Sequence, residues 1–149
     1  MSTLSHNSTA SLAAASTVDA LLDAAAPYAV ALGRALISAL FLVAGWAKLQ
    51  AYAGTQAYMQ AAGLPGALLP LVLLVELGGG LAILLGLYAR PVAVVLAGFS
   101  IVTAVLFHSG ADQVSQLMFL KNLGLAGGFL FLAAHGAGRI SLDGLRSRS

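Results

Sequence analysis

Apolar residues run almost unbroken through four stretches of this chain: about Tyr28–Leu49, Gly66–Tyr88, Pro91–His108 and Gln116–His135. Each is close to the ~20 residues that carry a helix across a hydrocarbon core ~30 Å thick. None alternates in the manner of a barrel strand. The pattern therefore predicts four transmembrane helices. Pro27 and Pro91 stand at helix entrances, where the missing N–H costs nothing. Gly136 and Gly138 supply a helix stop after the fourth span. The second and third spans are joined by little more than Ala89 and Arg90, which makes them antiparallel neighbours. Ser109–Ser115 is a polar loop.

The segment Gln50–Pro65 breaks the pattern. Tyr52, Tyr58 and Met59 recur at helical spacing among Gln, Thr and Ala. Tyrosine favours the headgroup level of a bilayer. A short interfacial helix between the first two spans is expected. The fold class is thus all-α: an integral membrane four-helix bundle with a short interfacial helix. Residues 1–27 read as a disordered Ser/Ala-rich tail without the basic start of a secretory signal. Within it, Thr17–Ala26 has the pattern of a short surface helix. Residues 28–145 form the membrane domain, and 146–149 a basic tail.

Composition agrees with this picture. Of 149 residues, 60% are hydrophobic and only 8% charged. A soluble domain carries about 25% charged residues. The net charge of +2 rests on few groups and forms no basic patch, so nucleic acid is not an expected partner. The absence of cysteine excludes thiol redox chemistry, disulfides and thiolate metal sites. Arg90, Arg139, Arg146 and Arg148 fall on the side of the termini, with Lys48 and Lys121 toward the other. The positive-inside rule then places both termini in the cytoplasm.

Candidate chemistry centres on Glu76, near the middle of the second apolar run. A carboxylate there costs about 3 kcal/mol on insertion scales, so it must be paired, neutralised or solvated. Arg34, Ser38, Phe41, Gly45 and Lys48 form one stripe on the first helix. From a rise of 1.5 Å per residue, Arg34 and Glu76 differ by roughly 9 Å in depth, and Lys48 and Glu76 by roughly 15 Å. An intramembrane Arg34–Glu76 pair or proton relay is the expectation, with Arg34 snorkelling part of the way. Lys48, His108, Lys121 and Asn122 collect at the end opposite the termini, with Tyr52 and Tyr58 near enough to roof them. That set suits a lipid headgroup, a quinone ring or a small acid. Each cation also fits the plainer role of a snorkelling anchor.

Gly45, Gly79, Gly80, Gly124 and Gly128 are expected to allow close helix packing. A homo-oligomer through Gly124 and Gly128 is a further candidate. No metal site is expected. His108 and His135 lie at opposite ends, so they cannot ligate one haem iron. Met59 and Met118 could serve as axial ligands but also fit as ordinary apolar residues, and no Glu-x-x-His pair is present.

The ordered segments LGRALISALFLVAGWAKL, AGTQAYMQAAGLP, VELGGGLAILLGLYARP, LFH and FLKNLGLAGGFLFL resemble the DoxX family of small bacterial membrane proteins. The resemblance covers about Tyr28 to Leu145. It implies a four-helix bundle in the bacterial inner membrane. It also implies association with membrane oxidoreductase assemblies, some linked to quinones or oxidative stress. Gly33, Arg34, Gly45, Lys48, Glu76, Gly79, His108, Lys121 and Asn122 are the matching positions, and none carries over a catalytic role. The leading expectation is a non-catalytic membrane subunit supporting a soluble or membrane redox partner. A direct quinone- or quinol-binding oxidoreductase component is the second reading, with a bound quinone as its ligand. A small-solute or proton-coupled transporter is the third.

Overall fold

In the computed structural model the described residues are 3–147, with side chains described from Thr17 onward. They are helical apart from short turns, and no strand occurs among them. Four helices are long and apolar enough to cross a membrane: Thr17–Gln50, Gly66–Leu85, Ala89–Phe107 and Gln113–His135. They are termed the first to fourth spans. Residues 1–2 and 148–149, and with them Arg148, lie outside the described residues.

The first helix is longer than its apolar run. It extends over Thr3–Gln50 with Pro27 inside it. The break anticipated at Pro27 is absent, and Thr17–Ala26 continues the first span instead of forming a separate surface helix. Helix propensity explains the continuity, because Ala20–Ala26 consists of Ala and Leu with one Asp.

The short helix before the second span is Tyr52–Ala61. Its Met59 is 4% exposed and packs with Leu69 and Leu73 of the second span. Tyr58 stacks on Phe107 of the third span, with centroids 5.5 Å apart. Gln56 Nε2 donates to Gly66 O at 3.2 Å. These contacts fold the segment over the end of the bundle opposite the termini, the distal end.

The second span is not a uniform α-helix. It begins with a 3-10 turn at Gly66–Leu68, continues as α-helix over Leu69–Leu73, and becomes π-helical over Leu74–Gly79. Regular α-helix resumes at Gly80–Leu85. The π-helical turn contains Glu76. Such turns are rare and occur often at functional sites. The glycines around it let the backbone widen without losing contact with its neighbours. A Cβ on Gly45 would lie 2.8 Å from Leu77, one on Gly79 3.2 Å from Leu96, and one on Gly80 3.2 Å from Leu42. Close packing through Gly45, Gly79 and Gly80 is therefore real. Gly124 and Gly128 differ, because a Cβ on either would meet nothing within 4 Å. Their expected packing role is not met within this chain, and Gly128 borders an open groove between the first and fourth spans.

Phe41 anchors the central core. Its ring meets Phe129 edge-on at 5.3 Å and Phe99 at 6.3 Å, joining the first, third and fourth spans. At the termini end the turn between the second and third spans is held by a short C-terminal helix, Leu142–Arg146. Asp143 of that helix accepts hydrogen bonds from the Tyr88 and Ala89 amides at 2.9 and 2.8 Å. It thereby caps the third span, satisfying amides that have no partner within the helix. The Asp143 amide donates in return to Gly86 O.

Gly86 has φ +67, and a Cβ there would run into Arg34 Nη1 and the Ser141 side chain. Gly86→Ala is expected to destabilise the protein by about 3 kcal/mol, combining left-handed strain with overpacking. Thermal unfolding in detergent measures this, and an unchanged midpoint would contradict it. The fourth span starts at Gln113, where Asp112 accepts from the Ser115 amide at 3.0 Å. The Ser115 hydroxyl first, and then this amide bond, hold the Asp112 carboxyl below its usual range.

Candidate functional site

Arg34 and Glu76 do not meet. Glu76 Oε1 accepts from Lys48 Nζ at 2.9 Å, a salt bridge between the first and second spans. The depth estimate failed because it set both helices flush with one membrane plane. The actual stagger places Gly45 against Glu76, with a Gly45 Cβ only 3.2 Å from Glu76 Cβ. Phe41 and Leu42 fall against Gly80. Lys48 is one turn beyond Gly45, so its flexible stem reaches the carboxylate easily.

Arg34 serves the opposite end. It is 4% exposed and donates to Ile83 O at 3.3 Å and to Ile140 O. Ile83 belongs to the last turn of the second span, and its carbonyl also accepts from the Gly86 amide at 3.1 Å. Arg34 thus ties the first span, the second span and the C-terminal segment together. Arg90 acts similarly, donating to Ala133 O and Ala134 O at the end of the fourth span. A cation at a helix C-terminus is favourable.

The Lys48–Glu76 pair lies in the wall of a cavity of about 430 Å³. His108, Lys121 and Asn122 line the same cavity, as do Tyr58 and Thr55 of the short helix. The sequence-derived group Lys48, His108, Lys121 and Asn122 is therefore brought together. Tyr52 is not part of it. It sits at the first position of the short helix, whereas Thr55, Tyr58 and Met59 form the face turned to the cavity. Glu76, which sequence reasoning separated from this group, joins it through the stagger of the first two spans. Ser100 and Thr103 of the third span were missed. Their three-residue spacing on one helix face was a signal, obscured by the apolar run around them.

The remaining wall is apolar, including Leu40, Phe41, Val72, Val75, Phe99 and Phe107. Leu68, Leu71 and Leu106, also in the wall, are 41%, 58% and 43% exposed, so the cavity borders a surface that lipid tails cover. Glu76 as a whole is 5% exposed, and its second oxygen, Oε2, is buried without a hydrogen-bond partner. A buried acceptor left unpaired costs about 1–3 kcal/mol, more when charged. Asn122, 7% exposed, turns its side chain to the same cavity. Among the described residues no group of three or more His, Asp or Glu side chains is placed to hold a metal.

A second, apolar groove of about 340 Å³ lies between the first and fourth spans toward the termini, beside Gly33, Ile37, Gly128 and Phe131. His135 borders it, at the opposite end of the bundle from His108.

These features define a small polytopic membrane protein with a lateral, largely apolar cavity and a buried ion pair in its wall. The sequence model of the DoxX family matches residues 29–109. The chain belongs to that family. It is 53% identical over 120 residues to the inner membrane protein YqjF of Escherichia coli K12, covering 80% of this chain and 92% of the relative. It is 34% identical over 128 residues to the inner membrane protein YphA of the same organism, covering 80% of this chain and 91% of that relative. No solved structure gives a significant match.

Proposed function

We propose that this protein is a small bacterial inner-membrane subunit that holds a lipophilic, quinone-type ligand in support of a membrane oxidoreductase. The observation that carries the reading is Glu76 Oε2, a buried oxygen without a partner in the wall of a cavity bordering the lipid. A pocket that is mostly apolar with a few convergent polar groups is the usual form of a small-molecule site. The cavity volume falls within the ~300–1,000 Å³ range of such pockets. Both named relatives are inner membrane proteins, which supports that location. Arg90, Arg139 and Arg146 at the termini end favour cytoplasmic termini. Lys48, engaged with Glu76, is a weaker counterweight than its charge alone implies.

The test is to purify the full chain in mild detergent and identify extracted lipids by mass spectrometry. A quinone-class lipid at near-equal stoichiometry is expected. It should fall about tenfold in a Lys121→Ala/Asn122→Leu variant, the effect of losing roughly 1.4 kcal/mol of polar contact. A co-purifying soluble redox enzyme with no such lipid would favour partner anchoring without a ligand.

A further inference from the structure

The deep part of the cavity is rich in acceptors, and its hydroxyl protons are already committed, while Lys48 Nζ donates to Ala44 O and Glu76 Oε1 and keeps one N–H. Glu76 Oε1 receives the Lys48 ammonium, while Oε2 is buried and unpartnered. Leu96 packs on Gly79, so Ser100, one turn further along the third span, stands near the level of Glu76. Ser100 Oγ donates to Leu96 O at 2.8 Å. Thr103 Oγ1 lies within 2.9 Å of Phe99 O and 3.0 Å of Ser100 O, and its one proton goes to this pair. Each hydroxyl has one proton and spends it within its own helix, so only lone pairs remain for a ligand. Lys121 and Asn122 offer N–H donors from the fourth span.

We infer that the cavity selects a ligand bearing an O–H donor at its buried end; for a quinone-type ring, it selects the reduced dihydroxy form over the oxidised dione. This rests on the ligand-binding reading above. A dione has only acceptor oxygens, so it would set a carbonyl lone pair against Glu76 Oε2 and leave that oxygen unpaired. The reduced ring donates its hydroxyl to Oε2 and completes the carboxylate. Its other oxygen is an acceptor in both forms, and Lys121 and Asn122 can serve it in either. Discrimination therefore falls on the Glu76 end. An analogue that fails to pair with a site's buried polar group is rejected more strongly than one that merely lacks a methylene.

The test uses the full chain in lipid nanodiscs under nitrogen, with empty nanodiscs as the partition control. Decylubiquinone, its borohydride-reduced form and the dimethyl ether of that reduced form are each titrated. The reduced form is expected to bind roughly ten- to a hundredfold more tightly than the dione, as befits a hydrogen bond to a charged acceptor. The dimethyl ether, which keeps the ring but has no donor, is expected to bind no better than the dione. Glu76→Gln should bring the reduced and oxidised forms to within about threefold, because an amide can donate as well as accept. Equal affinity of the unsubstituted protein for both forms, or tighter binding of the dione or ether, would overturn the selection and leave the ligand site standing. Lack of saturable binding by any of the three would overturn both.

Discussion

Lys48→Ala is expected to destabilise the folded protein by about 3 kcal/mol, because it strands a buried carboxylate in the membrane interior. The estimate sits at the lower end of the range for broken buried pairs, since the Lys48 side chain is 31% exposed whereas that of Glu76 is 7% exposed. Removing the amine takes away the partner of Oε1, and Oε2 already has none. The carboxylate must then take up a proton or draw water into the bundle. Replacing both partners, as in Lys48→Met/Glu76→Leu, is expected to recover most of the loss, because an apolar pair of similar volume carries no desolvation cost. That double variant should fold and yet fail to retain the proposed quinone-class lipid. Reversible unfolding in mixed micelles, followed by circular dichroism, measures the three proteins. If Lys48→Ala unfolds together with the unsubstituted protein, the pair is not a structural element of the bundle. A double variant that folds and still retains the ligand would separate the cavity from Glu76.

The second large effect is expected at Arg34. Arg34→Ala should cost about 2–4 kcal/mol, since two hydrogen bonds from a buried charged group to carbonyls are lost and only one of those carbonyls keeps another donor, the Gly86 amide. Those carbonyls belong to Ile83 and Ile140, so the loss falls on the join between the second span and the C-terminal segment. The helix Leu142–Arg146, which caps the third span through Asp143, should detach. Trypsin cleavage after Arg139 would then accelerate at least tenfold, as expected for roughly 1.4 kcal/mol or more of lost local protection. Arg34→Lys should recover only part, because a single ammonium cannot span two carbonyls as the guanidinium fork does. Retention of the proposed quinone-class lipid in Arg34→Lys should be unchanged, since Arg34 lies at the far end of the bundle from the Glu76 cavity. Cleavage at an unaltered rate in Arg34→Ala would show that the C-terminal segment is held by other contacts.

The two buried charges of the first and second spans thus have separate roles. Arg34 closes helix ends at the termini side, and Glu76 shapes the cavity wall nearer the distal side. Treating them as a single pair would have joined a fastening to a site. The glycines divide in the same way. Gly45, Gly79 and Gly80 bring the first, second and third spans together around Glu76, whereas a Cβ on Gly124 or Gly128 would touch nothing.

The four spans, the short helix near Tyr58 and the singularity of Glu76 were all legible in the sequence. Apolar run length and the cost of a charge in hydrocarbon are local properties that need no knowledge of neighbours. The grouping of Lys48, His108, Lys121 and Asn122 was also legible, because chain direction alone sends them to one end of a four-span bundle. The partner of Glu76 was not. It depends on the axial stagger of the first two helices, which Gly45 and Gly80 set by close approach, and one turn of slip is enough to exchange Lys48 for a more distant residue. The π-helical turn at Leu74–Gly79 was equally hidden, since no local pattern distinguishes it from a glycine-bearing α-helix. The role of Ser100 and Thr103 depends on which face of the third span turns inward, and a span that is apolar on every side does not declare its face. Sequence therefore determined which groups must be accommodated within the membrane. Tertiary packing decided which of them meet, because contacts between helices depend on offsets of a few ångströms that no single helix encodes.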